Sequence, residues 1–71
     1  MNAESIADKI KRYRKINNMS QEELSALSGI NVSTIKKYEC GYRNPKPDQL
    51  VKIANALNVS VLVFLSFDLT T

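Results

Sequence analysis

Histidine and tryptophan are absent from this chain, and cysteine occurs once, as Cys40. A lone thiol closes no internal disulfide, and with no imidazole and no second thiolate there is no Cys/His cluster to hold zinc. Such a chain suits a reducing cytoplasm. The missing histidine also removes the commonest general base, and no motif pairs a nucleophile with a base, so an enzyme is not expected. Nor does any motif announce a cofactor or a small-molecule ligand. Only two glycines and two prolines are present, which argues for helices rather than a turn-rich or disordered chain. Long apolar runs are missing too. The longest, Val61 to Leu65, falls far short of the roughly 20 residues that cross a bilayer, and Met1 to Lys15 lacks the apolar centre of a signal peptide.

What is there fits one small domain, residues 1–71, with its core over about residues 6–65. Apolar residues make up 44% and charged residues 24% of the chain, enough of each for a folded core and a solvated surface. Ten Lys and Arg against seven Asp and Glu leave a net charge of +3, which favours an anionic partner without requiring one.

The apolar residues Ile6, Ile10, Tyr13 and Ile16 recur at three- and four-residue steps, the period of an amphipathic helix between Ser5 and Asn17. Asn18 suits a left-handed stop after it. Ser20, followed three residues later by Glu23, is a capping-box signature, so a second helix starts at Ser20 or Gln21. Gly29 supplies the positive φ of a sharp exit, ending this helix at about Ser28 and returning Ile30 to the core. Asn31 or Ser33 caps a third helix that turns Ile35 and Tyr38 inward and Lys36 and Lys37 outward, and Gly41 closes it. The stretch from Tyr42 to Pro47, with two prolines and two bases, reads as a surface loop. Pro47 suits the first position of a fourth helix, Asp48 its positive end, and Leu50, Ile53, Ala54 and Leu57 its buried stripe. Ser60 caps a fifth helix to about Leu65, although Val59, Val61 and Val63 would equally suit a strand.

The expectation is therefore an all-α bundle of five short helices. Its core would comprise Ile6, Ile10, Tyr13, Met19, Leu24, Ile30, Ile35, Tyr38, Leu50, Ile53, Leu57 and Phe64. Helices two and three, joined by a glycine turn with small polar and basic residues outward on the second, match a helix-turn-helix unit. Ser25 is small where the two helices must approach closely.

The run SQEELSALSGINVSTIKKYECGYRNP resembles the phage-repressor and Cro-type helix-turn-helix family, also called XRE-like, and IKRYRK and LVKIANALNVS resemble that family's first and fourth helices. The similarity spans about residues 6–65. It departs at Ser25, where the family usually has alanine, at Leu27, commonly polar, and at Leu62, often polar or acidic.

The resemblance implies a lambda-repressor-like fold. It also implies sequence-specific binding of a double-stranded DNA operator by a bacterial or phage regulator, a repressor by preference, with helix three in the major groove. It pairs Arg14 with Glu39 as an ion pair that orients the recognition helix. Val32, Ser33, Lys36 and Lys37 become the candidate base readers, since lysine donates to guanine, serine reaches several base edges and valine presses on a thymine methyl. Gln21 and Thr34, at helix N-termini, and the loop residues Tyr42, Arg43, Asn44 and Lys46 are the candidate phosphate contacts. Lys11, Arg12 and Lys15 read as a solvated face. Some antitoxins and regulator antagonists of similar sequence use the scaffold to bind a protein instead, and that alternative stands.

The C-terminal run VLVFLSF is more apolar than a lone domain of this size buries with ease. Leu62 or Val63, and Phe67, would point away from the core, and a homodimer formed at least on DNA would cover them, matching half-sites about 34–36 Å apart. A further segment downstream, or simple fraying, would also account for them.

Overall fold

A computed structural model describes residues 4–65. Five helices follow one another: α1 (Ile6–Ile16), α2 (Gln21–Ser28), α3 (Val32–Glu39), α4 (Pro47–Leu57) and α5 (Leu62–Leu65). The described residues include no strand. The valines at 59, 61 and 63 meet no sheet to join, and their side chains pack on the helical core instead.

Helices α1, α2 and α3 each start where a side chain replaces a missing backbone partner. Ser5 accepts from the Asp8 N–H at 3.1 Å. Ser20 and Glu23 form a complete capping box, Ser20 Oγ accepting from Glu23 N–H at 3.0 Å and Glu23 Oε1 from Ser20 N–H at 2.8 Å. Of the two candidates for α3 it is Asn31 that caps, accepting from Ser33 N–H at 2.8 Å. Lys46 precedes α4 with no side-chain cap, and Pro47 takes the first helical position.

Three helices end in the same way. Asn18, Gly41 and Asn58 are left-handed, at φ 53°, 78° and 60°. In each case the next residue's N–H reaches back five residues: Met19 to Arg14 O, Tyr42 to Lys37 O and Val59 to Ala54 O, at 3.0 Å each. This double closure satisfies carbonyls that a helix end leaves open. Gly41 lies two residues past the last residue of α3, Glu39, with Cys40 between them as the cap. The exit from α2 differs: Gly29 is left-handed at φ 75°, and the Ile30 N–H is taken by Ser28 Oγ at 3.2 Å.

Ile10, Leu24, Ile35, Ile53 and Leu57 are the largest side chains fully withdrawn from solvent, and Ile30, Tyr38, Leu50, Ala54 and Phe64 complete the buried cluster. Ile6, Tyr13 and Met19 border it, half-buried. Ile16, the last residue of α1, is the exception to the helix's apolar stripe and is exposed. Helix α3 packs against α1 and α2, and α4 packs against α2 and α1. The outer side of α3 is left clear. Helix α5 is held through Phe64, edge-on to Tyr13 with ring centroids 6.1 Å apart, and through Lys9 Nζ, which donates to Val63 O at 2.9 Å.

Candidate nucleic-acid interface

The turn between α2 and α3 is fixed from both sides. Ser25 Oγ donates to Ile30 O at 2.6 Å, so the serine standing where the resemblance leads one to expect alanine also ties the turn's backbone to α2. Ile35 and Tyr38 are buried, and Ser33, Lys36 and Lys37 are consequently exposed on the opposite side of α3. Val32 and Thr34 are half-buried at the edge of that face.

The basic loop is folded onto the end of the same helix. Main-chain N–H groups of Tyr42 and Arg43 both donate to Lys37 O, at 3.0 and 3.3 Å. Tyr42, Arg43, Asn44 and Lys46 are all exposed, Tyr42 at 81%. Arg43, Asn44 and Lys46 line a cavity of about 280 Å³ together with Tyr38, Asp48 and Gln49. Gln49 Oε1 is shut off from solvent without a hydrogen-bond partner among the described residues. The loop cations Arg43 and Lys46 thus lie at the uncapped start of α4, together with Asp48.

Behind this face lies a buried charge network. Arg14 donates to both oxygens of Glu39, Nε to Oε2 at 2.6 Å and Nη2 to Oε1 at 2.9 Å, and its Nη1 donates to Met19 O at 2.8 Å. Gln21 Nε2 adds a bond to Glu39 Oε1 at 3.1 Å. The network joins α1, α2 and α3 around the carboxylate that ends α3. Hydrogen bonding to Glu39 raises the Arg14 pKa above its ordinary value, and burial opposes it.

Two of the residues expected to meet phosphate are not as free as their positions suggest. The Thr34 N–H is already used, donating to Asn31 O at 3.0 Å, so only its side chain is available. One Gln21 amide hydrogen is committed to Glu39. Among the bases of α1, Lys11 and Lys15 are exposed, while Arg12 forms a two-pronged exposed pair with Glu4, both contacts at 2.7 Å, and lies 4.7 Å from the Tyr13 ring centre. At the other end of the chain Leu62 is 66% and Leu65 44% exposed. Val63 does not point away from the core, as the pattern allowed; it is half-buried and packs on it. Phe67 lies outside the described residues.

Among known proteins, the control protein C.SmaI of Serratia marcescens is 41% identical over 58 residues, covering 82% of this chain and 69% of that protein. RstR, the transcriptional repressor of the cryptic phage CTXphi in Vibrio cholerae, is 38% identical over 56 residues, covering 79% of this chain but only 50% of RstR. In three dimensions the chain superposes on SinR, a master regulator for biofilm formation solved in complex with DNA, with a TM-score of 0.81 and 34% identity over 86% of this chain and 98% of that one. The helix-turn-helix family model, of the XRE-like class, matches residues 10–64, and the chain belongs to that family.

Proposed function

We propose that this chain binds duplex DNA in a sequence-specific manner and regulates transcription, as a repressor, with α3 in the major groove. The observation that carries this reading is the face of α3. Ser33, Lys36 and Lys37 stand exposed on a helix whose other side is locked into the core, beside a loop whose bases fold onto its end. Lys36, Lys37, Ser33 and Val32 are the base-reading set. Arg43, Lys46, Asn44, Tyr42, Gln21 through its second amide hydrogen and Thr34 through its hydroxyl are the phosphate set. SinR was solved bound to DNA and RstR is a repressor, which supports the same activity here. The chain works as one domain over residues 1–71, as a binding protein without catalysis, in the cytoplasm where bacterial DNA lies. No described helix is long and apolar enough to cross a membrane. Two copies pair at least on DNA, through the surface that carries Leu62.

Selection from random duplexes tests the proposal. It should enrich one motif with paired half-sites, whose affinity falls steeply with salt. Failure to enrich any sequence at low salt would overturn the reading and favour use of the scaffold for binding another protein.

A further inference from the structure

The cap of α3 determines which hydrogen-bonding groups its tip can show to a base. Asn31 Oδ1 accepts twice from Ser33, from its main-chain N–H at 2.8 Å and from its hydroxyl at 2.7 Å. The main-chain contact settles the amide orientation, because an N–H donates only to the oxygen of the carboxamide. The same oxygen forces the serine hydroxyl to be the donor. Ser33 Oγ is therefore left with lone pairs alone, and Asn31 is left with the two hydrogens of Nδ2, which no other described residue takes up. Both residues are exposed. A donor and an acceptor thus flank the one Oδ1, Nδ2 sharing its carboxamide carbon and Ser33 Oγ hydrogen-bonded to it, at the end of α3 that leads into a major groove.

From this polarity we infer that Asn31 is a base-reading residue and that Asn31 and Ser33 together read adenine. Adenine presents an acceptor, N7, next to a donor, the N6 amino group, whereas guanine presents two acceptors and the pyrimidines one polar group each. The Nδ2 hydrogen matches N7 and the Oγ lone pair matches N6–H. Val32, half-buried between them in sequence, offers methyl groups to the thymine of such a pair. A serine free to rotate would accept or donate and would discriminate poorly; one whose hydrogen is held by Asn31 only accepts.

The inference rests on the reading of α3 as the groove-entering helix, and the test separates the two. A duplex is first selected with the wild-type chain. Its adenines are then replaced singly by 7-deazaadenine, which lacks N7, or by purine, which lacks the amino group, and binding is followed by fluorescence anisotropy. One adenine per half-site should show about tenfold weaker wild-type binding with either replacement. Asn31→Asp still caps the helix, so its thermal midpoint should be unchanged, yet it should lose the sensitivity to 7-deazaadenine. Ser33→Ala should lose the sensitivity to purine. Each comparison is a ratio within one protein, so the added charge of the aspartate cancels. A selected duplex with no such adenine, or an Asn31→Asp chain as sensitive as wild type, would overturn the inference and leave DNA binding standing. A wild-type chain that selects no duplex would remove both.

Discussion

Arg14 and Glu39, 25 residues apart, meet in a two-pronged contact whose shorter arm is 2.6 Å, with 12% and 3% of their side chains exposed. Desolvation of both charges offsets much of their attraction, so the pair adds little net stability over an apolar replacement. Its effect is geometric: it places the end of α3 relative to α1. Breaking it from one side is another matter. Arg14→Leu leaves a buried carboxylate with only Gln21 beside it, and should cost about 3 kcal/mol in urea unfolding, with part restored in the Arg14→Leu/Glu39→Leu double variant. A loss below about 1 kcal/mol would mean that the carboxylate reaches water.

The same pair has a pH consequence. A guanidinium with a raised folded-state pKa contributes stability throughout the range below its unfolded value and loses it only as pH climbs through the folded one. Both values lie far above neutrality, so the arginine side of this contact should be constant from pH 6 to 9. An Arg14→Leu penalty that vanished within that window would contradict it.

Gly29 separates backbone from packing. It sits at φ 75°, and a Cβ added there meets nothing within 4 Å. Gly29→Ala should therefore destabilise by only the left-handed backbone cost, about 1 kcal/mol, with the fold and the DNA-binding face intact. A loss several times larger, measured by thermal unfolding, would show that the turn cannot hold a side chain.

Arg43 and Lys37 are expected to fail differently. Arg43→Ala should weaken binding to all duplexes alike and flatten the salt slope by about one unit. Lys37→Ala should relax preference at one or two base positions, by about 1–3 kcal/mol each. An unchanged slope in the first, or unchanged discrimination in the second, would move that residue out of its assigned set.

Leu62 is two-thirds exposed on α5. If a second copy covers it, Leu62→Glu should shift sedimentation equilibrium towards monomer and abolish cooperative occupancy of paired half-sites, while binding to one half-site persists. A wild-type chain that stays monomeric at high concentration and binds a single half-site would rule the pairing out.

The local order of this protein is written in its sequence. The capping box at Ser20 and Glu23, the left-handed Asn18 and Gly29, and the proline opening α4 each act within a few residues, so spacing alone locates the helices. The inward Ile35 and Tyr38 leave Ser33, Lys36 and Lys37 outward for the same reason: one helical period serves both faces. What the tertiary structure alone decided lies across longer distances or in side-chain rotation. Val63 turns inward because Phe64 anchors α5 against Tyr13 and Lys9 holds its carbonyl. Gln21 is drawn to Glu39, 18 residues away, only once α2 and α3 are packed. Residues 42 and 43 fold onto Lys37, gathering the loop cations beside α3. The direction of the Asn31–Ser33 hydrogen bond was out of reach for a further reason: composition and period locate a hydroxyl, but only its neighbours determine whether it gives or takes a proton.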